Sequence, residues 1–318
     1  MNAAKTRRQL TYRVRETDAG LELAVFSAAR FPYHTLEEWT ALAAEGRLLV
    51  NGEPAAAGRP LSAGEFLTFL QPDRPEPPVD ERVEVIYEDA DLLAVDKPGN
   101  LPAHPAGKYF KHTLWWLLRE RHGLEAPAIL NRLDRETSGV TLVAKNPRAD
   151  RLCRAQFAAG AVIKKYNAVT EGRLAAPLRC RGHMGPCPGS AVRKKRAFFP
   201  GSLPAPAGAE TADTEFFPLG GAGDLGIVEA VPHTGRLHQI RATLLHLGLP
   251  IAGDKLYGLD EGLFLRFAAD ELTAGDRSKL RLPRQALHAG ELTFKHPADG
   301  RSLTLRAPLP ADLLTLVK

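Results

Sequence analysis

The residue best placed to do chemistry is Asp134, in the run Asn131-Arg-Leu-Asp-Arg-Glu-Thr-Ser-Gly139. It lies between the apolar Ala128-Ile-Leu130 and a strand-like stretch from Val140, and loops at strand ends are where scaffolds present reactive groups. Arg132 and Arg135 flank it. Cations nearby lower a carboxylate pKa, which keeps the group ionised and ready as a nucleophile or base. The same residues also suit a turn capped by Asp134 and stapled by surface salt bridges, and on spacing alone that arrangement is the commoner one.

Other reactive types are spread along the chain. Tyr166 alternates with Ala168 in Lys165-Tyr-Asn-Ala-Val-Thr170, so both point to one face of a strand. A strand Tyr is commonly a core or edge aromatic. Its flat ring also suits stacking on a planar ligand, and its hydroxyl can act as acid or base. His233-Thr-Gly-Arg-Leu-His-Gln-Ile-Arg241 carries two arginines, Arg236 and Arg241, either of which can meet a phosphate or an acid. Cys180, His183 and Cys187, with Cys153 as a fourth, fit no standard zinc spacing, so neither a metal nor a cofactor is expected. Arg193-Lys-Lys-Arg196 reads as a solvated hairpin or as a contact for phosphates.

These residues need elements to hold them. Gln71-Pro-Asp-Arg-Pro-Glu-Pro-Pro78 favours extended backbone and reads as a linker. The expected organisation is a head over 1–72, a proline-rich linker over 73–80 and a body over 81–318. In the head, Leu36, Trp39, Leu42 and Ala43 predict a helix stopped by Gly46, Asn51-Gly52 a tight turn, and Glu65–Leu70 a strand. In the body, strands are predicted over 83–87, 92–96, 139–144, 165–170, 287–294 and 302–306. Helices are predicted over 113–122 and 148–159, with another marked by Ile240, Leu244 and Leu247 and stopped by Gly248. The fold class is α+β, with a mixed, mostly antiparallel sheet. The stretch with Pro204 and Pro206 reads as a surface loop.

Composition bounds the setting. Hydrophobic residues at 44% and charged ones at 25% suit a globular chain, and the net charge of +5 favours a polyanionic partner. The basic start, Met1 to Arg8, is followed by no apolar signal segment, and no apolar run is long enough to cross a bilayer. Three cysteines make no disulfide framework, so the expected compartment is the cytoplasm.

Arg132-Leu-Asp-Arg-Glu-Thr-Ser-Gly139 with Val-Thr-Leu-Val-Ala-Lys behind it closely resembles the first motif of the RluA family of RNA pseudouridine synthases. Asn131 stands where that family usually has His, a change expected to touch loop packing more than chemistry. Asp96-Lys-Pro-Gly-Asn-Leu-Pro-Ala-His-Pro105, Lys164–Val169, His233–Asp254 and Leu287–Pro297 resemble further family segments in the same order. Gly20 to Gln71, with Gly-Arg-Leu-Leu-Val-Asn-Gly52, resembles the S4 RNA-binding module.

The resemblance implies an RNA isomerase acting without cofactor or metal, with ribosomal RNA as the first choice of substrate and transfer RNA as the alternative, and a monomer. It implies Asp134 as the catalytic carboxylate, Arg241 as its basic partner and Tyr166 packed on the flipped uracil. Ile240 or Leu244 would wall the base pocket, and Arg236 would meet backbone phosphate. Arg132, Leu133, Arg135 and Lys97 are the remaining expected substrate contacts. Two rivals stand beside this reading. One is a silent RNA-binding protein. The other is a nucleoside hydrolase, which needs a second carboxylate, for which Glu136 is the close candidate.

Overall fold

The structure is a computed structural model that describes residues 8–72 and 75–318. The first seven residues, and residues 73 and 74 of the expected linker, lie outside it. The chain divides into two compact units, Met1–Glu76 and Pro77–Lys318. Among the described residues no helix is long and apolar enough to cross a membrane.

The first unit has strand β1 (Gln9–Arg13), helices α1 (Leu23–Arg30) and α2 (Leu36–Ala44), and strands β2 (Leu48–Val50), β3 (Glu53–Pro54) and β4 (Phe66–Leu70). Its sheet runs β1-β4-β2-β3. Helix α2 starts at a capping box, in which Thr35 accepts from the Glu38 amide and Glu38 accepts from the Thr35 amide. Asn51 and Gly52 both have positive φ, as the tight turn between β2 and β3 requires. Leu23 of α1, Trp39 of α2 and Leu48 of β2 are fully buried in its core.

The second unit carries β5 (Glu84–Glu88), β6 (Leu92–Lys97), α3 (Leu114–His122), β7 (Ala128–Ile129), β8 (Ser138–Ala144) and α4 (Pro147–Ala158). There follow β9 (Ile163–Glu171), β10 (Leu178–Pro186), β11 (Arg196–Pro200), β12 (Glu210–Ala222) and β13 (Leu225–Pro232). The chain closes with α5 (Gln239–His246), α6 (Gly262–Ala269), α7 (Ala274–Leu280), β14 (Leu287–Lys295), β15 (Ser302–Arg306) and α8 (Ala311–Leu316). The strands form one sheet in the order β11-β10-β12-β13-β9-β14-β8-β6-β5, with β15 on β14 and β7 on β8. Pairing is antiparallel except between β14 and β8, so the sheet is mixed and mostly antiparallel, as expected.

Two neighbouring strands carry the pieces that matter. β8 is buried along its whole length, as its run of Val, Leu and Ala suits a strand packed on both faces. It begins where the Asp134 loop ends. Gly139 has φ of +115°, and a Cβ there would sit 2.2 Å from the Ala289 carbonyl oxygen, so only glycine lets β14 lie this close. The sequence reading assigns no strands between Thr170 and Gln239 beyond a basic hairpin, yet four lie there. Their glycines and prolines mask the alternation: the β12–β13 pairing slips at Pro218/Gly220.

Candidate active site

A pocket of about 520 Å³ opens where the Asp134 loop, β9 and the start of α5 meet. Asp134, Tyr166, Ile240 and Arg241 line it, together with Arg132, Leu133 and Arg236. Sequence positions spread over more than a hundred residues thus converge because β9 runs next to β13, and β13 leads straight into the segment that starts α5.

The loop bearing Asp134 is held from several sides. Asn131 donates to the Val140 carbonyl at 2.8 Å and accepts from the Leu142 amide at 2.7 Å, pinning the loop to β8. It replaces the expected His as a packing element. Gln285 donates to Thr137 at 2.6 Å, and Arg284 donates to the Glu136 carbonyl. Lys97 is fully buried, and its ammonium donates to the carbonyls of Pro98, Leu101 and Arg135. All three of its donors are used, so Lys97 buttresses the loop and, contrary to the sequence expectation, makes no wall of the pocket.

Arg241 ties the carboxylate to a second acid. Its Nη1 donates to Asp134 Oδ2 at 2.7 Å, while Nε and Nη2 donate to Asp254 at 2.7 and 2.9 Å. Asp254 is fully buried and also accepts the amides of Leu256 and Tyr257. This bidentate pair fixes the guanidinium, which lies over the Tyr257 ring at 4.8 Å from its centroid. Burial pushes the Asp134 pKa up, but Arg241 outweighs it and holds the carboxyl below its usual value. Asp134 is therefore ionised at neutral pH, with Oδ2 engaged by Arg241 and Oδ1 3.8 Å from His238 Nε2. Burial, and then the Asp134 charge, push the Tyr166 hydroxyl up to about 12, so it stays protonated. Arg236 lies at the mouth, held by Glu210 and the Thr211 carbonyl, and does not reach Asp134.

Arg135 is a second correction. It turns away from Asp134 to donate to Tyr109 and Glu136 and to stack near Phe267. With Glu136 and Lys255 it lines a different cavity, of about 910 Å³. That cavity is the larger one, but it lacks the convergent Asp, Tyr and Arg of the smaller. Glu136 is tied to Lys255 at 3.0 Å and accepts the Gln285 amide, so it cannot supply the hydrolase's second carboxylate. Asp134 is the one acid among the described residues lining its pocket.

Sequence reasoning missed four pocket or support residues: Asp254, Gln285, His238 and Lys164. Asp254 and His238 sit within the motif that carries Arg241, and Lys164 within the one that carries Tyr166, but nothing local distinguishes their roles. Lys164 is half-buried in the pocket wall, and burial lowers its pKa with no acid among the described residues to oppose that.

The family described as RNA pseudouridylate synthase matches residues 91–246, a span that contains Asp134, Tyr166 and Arg241. An uncharacterised RNA pseudouridine synthase of Chlorobaculum parvum is 36% identical over 289 residues, covering 85% of this chain and 84% of the relative. The chain belongs to the RNA pseudouridine synthases. As such it is an isomerase that acts on RNA. The synthase is also similar to the ribosomal large subunit pseudouridine synthase D of Zymomonas mobilis, at 28% identity over 76% of this chain and 74% of that one. The mitochondrial tRNA pseudouridine(32) synthase of Saccharomyces cerevisiae is 34% identical over 68% of this chain and 46% of its own. Among solved structures, human RNA pseudouridylate synthase domain containing 4 matches the synthase with a TM-score of 0.56 and 26% identity, over 73% of this chain and 90% of that one.

Proposed function

We propose that this synthase converts specific uridines of structured ribosomal RNA to pseudouridine, with Asp134 as the catalytic carboxylate. The observation that carries this is the Asp134–Arg241 pair at 2.7 Å, in one pocket with Tyr166 and Ile240. The target uridine leaves its stack to reach the pocket, because the reacting atoms are shielded inside a helix. Ionised Asp134 then engages the ribose, by attack at the anomeric carbon or by taking a ribose proton. The C1′–N1 bond breaks, uracil turns, and C5 bonds to C1′. The C5 proton passes to solvent, and N1 ends protonated, so the reaction is balanced without a co-reactant.

Arg241 keeps Asp134 charged and fixes its rotamer, while Tyr166 and Ile240 confine the detached ring. Arg132 and Arg236, at the rim, meet phosphates flanking the target. The order of motifs supports placement in the RluA branch, with the first unit as an S4-like RNA-binding module. The chain is proposed to act as a monomer in the cytoplasm. The relative named for the ribosomal large subunit matches over more of its length than the one named for tRNA, which favours ribosomal RNA and keeps transfer RNA as the alternative substrate.

The test is release of tritium from RNA labelled at uracil C5. Wild type should release it and Asp134→Asn should not. Release by the variant at the wild-type rate would sink the assignment. Mapping pseudouridines in ribosomal and transfer RNA from cells with and without the protein identifies the target.

A further inference from the structure

His238 caps α5 from a left-handed backbone, φ +58°, which turns its ring into the wall of the Asp134 pocket. Its Nδ1 lies 2.9 Å from the Tyr257 hydroxyl oxygen, and the two rings meet edge to face. That oxygen also accepts the Arg196 backbone amide at 2.8 Å. A backbone amide can only donate, and Nδ1 is the one acceptor within hydrogen-bond distance of the hydroxyl among the described residues, so the hydroxyl's own proton points at Nδ1. Nδ1 is thereby an acceptor, and a neutral imidazole must then carry its proton on Nε2. The charged groups facing the ring are Asp134, Arg241, Asp254 and Lys194, and burial outweighs the pull of Asp134 to bring the His238 pKa down to about 4. Nε2 lies 3.8 Å from Asp134 Oδ1, beyond hydrogen-bond distance, and has no partner among the described residues.

A neutral, oriented donor therefore faces the pocket beside the free oxygen of Asp134. Resting on the reading of Asp134 as the catalytic carboxylate, we propose that His238 Nε2–H binds a carbonyl oxygen of the target uracil and stabilises the base while it is detached from the sugar. When C1′–N1 breaks, the bonding pair stays with uracil and its charge spreads onto the ring oxygens. A neutral imidazole N–H stabilises that charge without surrendering its proton, as a neutral histidine electrophile does elsewhere. A histidinium would protonate the ring at nitrogen and trap free uracil. The Tyr257–His238 hydrogen bond keeps the base anionic and nucleophilic at C5 until the new bond forms.

The experiment measures single-turnover tritium release, with ribosomal RNA transcripts labelled at uracil C5, alongside RNA Kd by filter binding. His238→Phe is expected to lower the rate by about 10²–10³ with Kd unchanged, in line with removal of one oriented donor. His238→Gln, whose amide nitrogen can take the place of Nε2, should stay within about tenfold of wild type. The wild-type rate should show no ionisation near pH 6.5 that His238→Gln removes. Turnover of His238→Phe within threefold of wild type, or such an ionisation, overturns the inference. If His238→Phe fails to fold by circular dichroism, Tyr257→Phe decides, since it removes the hydroxyl that sets the tautomer, along with the acceptor of the Arg196 amide, while leaving the His238 ring in place. A clear fall in rate supports the proposal, and wild-type turnover overturns it. Failure of the parent reading looks different: wild type releases no tritium, or Asp134→Asn releases it as fast.

Discussion

Arg241 joins two carboxylates of very different exposure, so its replacement should separate stability from chemistry. The Asp254 side chain is fully buried, whereas 30% of the Asp134 side chain is exposed. Arg241→Met leaves Asp254 as a buried anion with only the Leu256 and Tyr257 amides, at 3.0 and 2.9 Å, to satisfy it. Removing one partner of a buried pair destabilises by about 3–5 kcal/mol, and the two remaining donors argue for the lower end. At about 2–4 °C per kcal/mol for a unit of this size, Tm should fall by roughly 6–12 °C. Asp254→Asn added to Arg241→Met removes the stranded charge and should recover more than half of that loss. It should recover no activity, because Asp134 still lacks its cation. Thermal unfolding by circular dichroism and tritium release from C5-labelled RNA give the two readouts. An unchanged Tm in the single variant, or restored turnover in the double one, refutes the reasoning.

Asp134→Asn should shift stability by only about 1 kcal/mol, since Arg241 keeps Asp254, so its loss of tritium release will not reflect unfolding. Burial, and then Glu84, raise the Asp96 pKa from 3.8 to about 6. A raised folded pKa on an acid means that wild type loses stability as pH rises from about 4 to 6. Asp96→Asn should thus be more stable by about 1–3 kcal/mol above pH 6 and match wild type near pH 4, as seen in denaturant melts at the two pH values. Lys164→Met should weaken RNA binding and reduce the slope of log Kobs against log salt by about 1, as loss of one phosphate contact does; an unchanged slope excludes that contact. Gly139→Ala must adopt positive φ and push against the Ala289 carbonyl, so it should destabilise by about 2–4 kcal/mol in the same melts.

Asp134, Tyr166 and Arg241 are picked out in the sequence through the family resemblance of the runs that carry them, since spacing alone favours a capped turn for Asp134 and a core aromatic for Tyr166, and the fold brings the three into one pocket. Elements around them are legible too, since β8 keeps an unbroken buried run and α4 starts at an Asn cap followed by Pro147. Asp254 is not, because its meaning comes from an ion pair with Arg241, thirteen residues earlier, across a turn. Lys97 and Arg135 mislead for a related reason. A Lys before Pro and an Arg beside Asp134 look like substrate contacts, but both are absorbed into holding the loop. Sequence gives the charge of a side chain, and only the fold gives the direction in which it points.

That direction also bears on the choice between breaking a glycosidic bond and moving it. A hydrolase needs a second carboxylate placed to activate water. Here Glu136 faces Lys255 and Arg135, and Asp254 is sealed behind Arg241, which leaves Asp134 as the one acid lining the pocket among the described residues. Besides the basic side chains Arg132, Arg154, Lys164, Arg236 and Arg241, the groups around it include apolar or neutral donors: Tyr166 with its hydroxyl kept protonated, Ile240, Leu133, and His238 held neutral by burial. None of these is a base able to deliver hydroxide to the sugar at neutral pH. A site with one carboxylate and a wall that confines the leaving ring favours return of that ring through C5 over its escape. Trapping free uracil during single turnover tests this directly: His238→Phe should leak uracil and wild type should not.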